Sequence, residues 1–104
     1  MVRLDPDKRI LTGPLGCVQL SLRHFRFMRA FIKAGFNQPV ETASLCRLGW
    51  PEWSPSYLPG SLSTEVHRLN QILDSVGGAR IVTLYGSRKT LRAICTGSAF
   101  ARAA

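Results

Sequence analysis

The sequence is poor in acidic residues and lacks the short motifs typical of enzymes. Its 104 residues contain 6 Asp and Glu against 14 Lys and Arg, a formal net charge of +8. No serine lies in a nucleophile elbow, and the glycines match neither a phosphate-binding loop nor a dinucleotide fingerprint. Asp74 is the last acidic residue, although five basic residues follow it. We therefore expect a protein without catalytic activity or cofactor, whose partner is a polyanion.

Cysteine is scarce, and long apolar runs are missing. The three cysteines, at positions 17, 46 and 95, form no CxxC pair and have no histidine pair at zinc-ligand spacing. This pattern favours free thiols in a reducing compartment and indicates no metal site. No apolar run approaches the ~20 residues that span a bilayer, and the N-terminus has no signal-peptide pattern. We expect a cytoplasmic protein with no membrane partner.

The sequence does contain a regular order of short elements. The turn-forming clusters "DPD" (5–7) and "GPLG" (13–16) divide the beginning of the chain into short antiparallel strands near 2–4, 9–12 and 17–20. Near the other end, "ARIVTLYGSRKTLRAIC" is rich in strand-forming residues on both sides of Gly86, which predicts a basic β-hairpin. Small residues without a pattern follow it, and we expect residues 96–104 to be a flexible tail.

Three amphipathic segments between the strands and the hairpin predict helices. The first follows Ser21, ends near Gly35, and has its apolar stripe at Leu22, Phe25, Met28, Phe31 and Ile32. The second covers residues 41–48. The third, "SLSTEVHRLNQIL" (61–73), turns Leu62, Val66, Leu69 and Leu73 inward and Ser61, Thr64, His67, Arg68 and Gln71 outward. Three prolines in residues 49–61 predict an ordered loop without regular structure, in which Trp50 closes the core.

Strands, three helices and a hairpin in this order favour an α+β winged helix-turn-helix domain over residues 1–95. From Leu4 to about Ile94 the chain resembles the DNA-binding domain of OmpR/PhoB-type response regulators. "VRLDPDKRIL" looks like that family's first strand pair, and "VQLSLRHFRFMRAFI" is similar to its LTxxEFxLLxxL helix. "VETASLCRLGW" is similar to VxSRxxLLxxVW, "GSLSTEVHRLNQIL" to the RTVDVHIxRLRKKL recognition helix, and "IVTLYGSRKTLRAI" to the IxTVRGxGYxL wing.

The resemblance implies a bacterial DNA-binding transcriptional regulator. Helix three, about 60–73, would enter the major groove of double-stranded DNA, and the hairpin 81–94 would be the wing. The implied DNA contacts are Ser61, Thr64, His67, Arg68, Gln71, Arg88, Lys89 and Arg92. Trp53 and Tyr57 would form a loop that contacts RNA polymerase or another regulator, and family members usually bind DNA in pairs, which implies a homodimer on DNA in the nucleoid. By its chemistry, Arg68 can pair with guanine O6 and N7.

The chain also departs from the family's pattern. His24 stands where the first helix usually has Glu, Gly60 replaces an Arg, and Asn70 and Gln71 replace basic residues. The 104 residues also leave no room for the family's receiver domain, so we expect none to act as the switch. The alternative is therefore a winged-helix protein-interaction module, an anti-activator or adaptor with weakened or lost DNA binding. The two interpretations differ in where the positive charge lies: on helix three and the wing, or on helix one at Arg23, Arg26, Arg29 and Lys33. A surface histidine at 67 and a structural histidine at 24 are the simplest alternatives to a functional role for either residue.

Overall fold

The structure is a computed structural model that describes residues 2–51, 58–85 and 90–95, with side chains omitted at 58–61, 84–85 and 90–91. These residues form a small α+β domain with three helices and two three-stranded antiparallel sheets. The elements are β1 (Arg3–Asp5), β2 (Ile10–Gly13), β3 (Gly16–Gln19), α1 (Leu22–Ala34), β4 (Val40–Glu41), α2 (Thr42–Gly49), α3 (Leu58–Val76), β5 (Arg80–Tyr85) and β6 (Thr90–Cys95). The tail 96–104 lies outside the described residues.

The first sheet is a meander in the order β1-β2-β3, which confirms the three predicted N-terminal strands. In the turn after β1, the Asp5 carboxylate accepts hydrogen bonds from the backbone N–H groups of Asp7 and Lys8, at 2.9 and 3.1 Å. The next turn packs against the end of α3, where the Leu15 N–H donates to the Val76 carbonyl at 2.8 Å. Contact with this carbonyl leaves no room for a side chain on Gly13. The sheet is thus fixed to the C-terminal end of α3.

Helix α1 begins and ends as predicted but buries a slightly different face. The Ser21 hydroxyl accepts from the His24 N–H at 3.3 Å, and Gly35, with φ of 104°, follows the last residue. The predicted core residues Phe25, Met28 and Phe31 are buried. The prediction for Leu22 was wrong, because Leu22 is largely exposed and Phe27 is buried instead. The Phe27 ring packs at 5.8 Å from that of Trp50, which closes the core as predicted.

Helix α3 is longer than the periodicity predicted. It begins at Leu58 and includes Pro59 and Gly60. The predicted irregular segment 49–61 was therefore wrong for its last four residues and also for Gly49, which ends α2. Proline is compatible with the first turn of a helix, since the N–H groups there have no partner within the helix. The four inward residues are all buried, as predicted: Leu62, Val66, Leu69 and Leu73.

The second sheet has the order β4-β6-β5, so the predicted hairpin forms and gains a third strand. The hairpin register runs from Arg80 opposite Cys95 to Tyr85 opposite Thr90. The added strand β4 was not predicted: Val40 had been assigned to no element and Glu41 to the second helix. Its Val40 lies opposite Arg92. A strand of only two residues is too short to show the alternation of polar and apolar residues by which strands are predicted from a sequence. Within the described ranges, no helix combines the length and apolar character needed to cross a membrane.

Candidate nucleic-acid interface

The outward face of α3 presents a continuous polar stripe. Thr64, His67, Arg68 and Gln71 are exposed, and their spacing of three, one and three residues places them on one side of the helix. The opposite side carries the buried apolar residues. The structure therefore brings together four of the five residues predicted on this helix. The side chain of the fifth, Ser61, lies outside the described part.

Arg68 is connected to the first helix through a buried carboxylate. Glu65, whose side chain is only 9% exposed, accepts from Arg68 Nη1 at 2.8 Å through Oε1. Its other oxygen, Oε2, lies 2.7 Å from His24 Nε2. Arg68 itself remains 61% exposed, so its guanidinium is held at one corner while most of the side chain faces solvent. His24 thus contacts a buried residue of α3 and is not a solvated surface histidine.

Asn70 fixes α3 to the edge strand of the second sheet. Its side-chain amide donates to the Ile81 carbonyl at 3.0 Å and accepts from the Ile81 N–H at 2.8 Å. β5 lies at the edge of the sheet, so the backbone groups on its outer side have no neighbouring strand, and those of Ile81 bind Asn70 instead. A residue that replaces a basic residue of the family's pattern thus connects the helix to the hairpin. The sequence gives no signal for this contact.

Arg92 differs from the expectation. It was predicted to extend the positive charge of the hairpin tip outward, but it is only 6% exposed, and its Nη2 donates to Ser63 Oγ at 3.4 Å. The guanidinium also acts on the Cys46 thiol: burial raises the pKa of Cys46, and the nearby charge of Arg92 partly opposes that rise. Arg92 thus lies at the junction of β6, α2 and α3 and is removed from the outer surface of the hairpin.

The remaining predicted site residues are not described. Arg88 and Lys89 at the hairpin tip lie outside the described residues, as do Trp53 and Tyr57 of the loop before α3. Their roles stay predictions. No group of three metal-ligating side chains occurs among the residues that the structure describes.

Of the two helices α1 and α3, α1 carries the greater positive charge. This helix contains four basic residues and no acid, whereas α3 contains Arg68 against Glu65 and Asp74. Arg23 is engaged within the fold, because its Nε donates to the Gly49 carbonyl at 3.1 Å and its guanidinium lies 4.7 Å from the Trp50 ring centroid. The other three basic residues of α1 recur at spacings of three and four along one face: Arg26, Arg29 and Lys33. Arg29 and Lys33 are exposed.

Comparison with known proteins yields no match: no family model fits the sequence, and no curated protein or solved structure is significantly similar to it. The class that the described geometry supports is therefore a small α+β domain with an exposed polar helix face and an overall basic charge.

Proposed function

We propose that this chain is a winged-helix DNA-binding protein that acts as a transcriptional regulator. Helix α3 enters the major groove, and the β5–β6 hairpin contacts the backbone or the minor groove as the wing. The observation that carries the proposal is the polar stripe of α3, in which Thr64, His67, Arg68 and Gln71 are exposed together. Hydroxyl, imidazole, guanidinium and amide groups are the donors and acceptors that contact base edges and phosphates.

The connection between α3 and the hairpin supports the same proposal. Asn70 holds β5 through two hydrogen bonds, and Arg92 of β6 contacts Ser63 near the beginning of α3. A helix and a hairpin joined in this way can approach a duplex as one unit. The order of three helices followed by a hairpin supports the proposal of a winged helix.

Two departures from the family's pattern also support the alignment on which the resemblance rests. His24 replaces the Glu of the LTxxEF motif, and Glu65 stands where the RTVDVHI motif has His. In the folded chain these two side chains are in contact at 2.7 Å. The two positions at which the acid and the imidazole are exchanged thus lie in contact across α1 and α3 in this chain.

The test is a fluorescence-anisotropy titration of the protein with random-sequence and promoter-region duplexes at two salt concentrations. A double variant, Arg88→Ala with Lys89→Ala, removes two charges from the proposed wing. If both residues contact phosphates, the variant binds all duplexes more weakly, and the slope of log affinity against log salt falls by about two units. The matched control, Arg29→Ala with Lys33→Ala, removes the same charge from α1 and retains wild-type binding.

A second candidate function is favoured by the charge distribution. Because α1 carries four basic residues while α3 has more acids than bases, the chain can instead be a protein-interaction module that binds an acidic partner through α1. In that case the wild type binds no duplex even at low salt, although circular dichroism shows a folded sample. An acidic partner recovered by pull-down is then lost with the Arg29 and Lys33 variant and retained with the Arg88 and Lys89 variant.

A further inference from the structure

We propose that His24 is a positioning residue for DNA recognition, which acts through Glu65 to orient the Arg68 guanidinium on the exposed face of α3. This inference rests on the proposed DNA-binding function. His24 belongs to α1 and not to the exposed face of α3, so the inference assigns it a role in base discrimination without direct contact with a base.

The buried carboxylate of Glu65 requires a hydrogen-bond partner for each of its oxygens. Glu65 lies between the apolar positions of α3, and a buried carboxylate oxygen without a partner is costly. His24 Nε2 occupies Oε2 at 2.7 Å, which leaves Oε1 directed toward Arg68 Nη1 at 2.8 Å. His24 therefore fixes the orientation of the carboxylate, so that its other oxygen points toward Arg68.

This orientation of the carboxylate affects Arg68. A free arginine side chain samples many rotamers, and binding must restrict them before two parallel hydrogen bonds to guanine can form. Arg68 is already held at Nη1, while its side chain is 61% exposed and accessible to a duplex. Part of the ordering cost is thus met within the folded protein. Loss of the His24 contact lets the carboxylate rotate and returns this cost to the binding step.

Two amide variants at position 24 separate the effect of side-chain length from the effect of side-chain polarity. In His24→Gln, the side-chain nitrogen lies at a distance along the side chain similar to that of Nε2 and can donate to Glu65. In His24→Asn, the amide is one carbon shorter and does not reach the carboxylate. Both side chains are neutral and similar in polarity, so the pair is matched for charge and solvation.

The measured quantity is a ratio of two affinities. The first is the affinity for the tightest-binding duplex, which the wild type selects from a randomised pool, and the second is the affinity for a random-sequence duplex. Arg68→Ala is expected to lower this ratio by roughly 5- to 150-fold. His24→Asn lowers it by about 2- to 12-fold, the effect of one side chain that must be ordered on binding. His24→Gln remains within about twofold of the wild type, because the donor is retained.

A double-mutant cycle shows whether His24 acts through Arg68. If it does, His24→Asn has no further effect on the ratio once Arg68 is Ala. A purely structural role gives the same loss in both backgrounds and overturns the proposal. Equal ratios for the Asn and Gln variants also overturn it.

A measurement without DNA keeps this proposal separate from the proposed function. The ¹⁵N heteronuclear NOE of Arg68 Nε reports the order of the side chain on the fast timescale. We expect it to fall in His24→Asn and to recover in His24→Gln; an unchanged value in the Asn variant refutes the positioning role. Failure of the wild type to bind any duplex refutes the DNA-binding function instead, and the NOE still decides whether His24 orders the Arg68 side chain.

Discussion

Replacement of Asn70 by alanine should weaken the contact between α3 and the hairpin severely. The amide makes two hydrogen bonds to the backbone of Ile81, a residue that is 3% exposed. Each buried backbone group left without a partner costs about 1–3 kcal/mol. Since water enters part of the space left by the amide, we expect a total loss of about 2–4 kcal/mol in the free energy of unfolding.

Urea denaturation followed by circular dichroism measures this loss. With an m-value of about 1–1.5 kcal/mol/M, the midpoint should fall by roughly 1.3–4 M. The matched control is Gln71→Ala, the next residue of the same helix, which is exposed and should change stability by no more than about 0.5 kcal/mol. The Ile81 amide should also exchange with solvent much faster in Asn70→Ala than in the control.

An aspartate at position 70 distinguishes the two hydrogen bonds. Asn70→Asp can still accept from the Ile81 N–H, but its second oxygen then faces the Ile81 carbonyl, and two acceptors repel each other. We expect it to be at least as destabilising as alanine at neutral pH. Equal stability of the Asn70→Ala and Gln71→Ala variants, with unchanged exchange at Ile81, would refute the assigned role of the amide.

Two further predictions concern the core and the thiols. Gly49→Ala should lower the free energy of unfolding by roughly 1–2 kcal/mol. A Cβ there would lie 2.5 Å from the buried Phe27 ring, and the cost of overpacking outweighs the gain in helix propensity. A variant as stable as the wild type in urea would contradict this. In titration with a disulfide reagent at neutral pH, the exposed Cys17 should react first, whereas Cys46 and Cys95 react slowly, because both are buried and burial raises the pKa of each. Because these two pKa values are higher in the folded state, the thiols of the unfolded chain ionise first as the pH rises. The free energy of unfolding should therefore decline as the pH rises above the ordinary thiol pKa toward the raised values. Three thiols that react at one rate in the folded protein, or urea midpoints that do not change between pH 8 and 10, would contradict the assignment.

The strands, the first helix and the hairpin were predictable because their signals are local. Proline and glycine in the two N-terminal turns, Ser21 before α1 and the β-branched residues around Gly86 act on neighbouring backbone. The beginning of α3 was missed, because Pro59 and Gly60 resemble a loop unless their position in the first turn is known. Leu22 and Phe27 show the limit of helical periodicity: it predicts a buried stripe, but neighbouring elements decide its width.

The part of the candidate site that lies on α3 was predictable from the sequence, whereas the position of Arg92 was not. The outward stripe of α3 follows from its 3.6-residue period, so Thr64, His67, Arg68 and Gln71 could be assigned to one face from the sequence. Arg92 could not be assigned correctly, because a strand residue alternates between two faces and only the packing of β6 against α2 and α3 determines which face is buried. The two strand faces look equally suitable in the sequence.

Residue type and short-range spacing are enough to set the order of the elements, the basic charge and the polar face of α3. Which polar groups meet depends instead on how the elements pack. His24 contacts Glu65 across 41 residues, Arg92 contacts Ser63 across 29, and Asn70 binds the edge of β5 across 11. Buried polar groups must find partners, but a one-dimensional pattern does not say which partner is near. Packing of the helices and the second sheet brings these groups together.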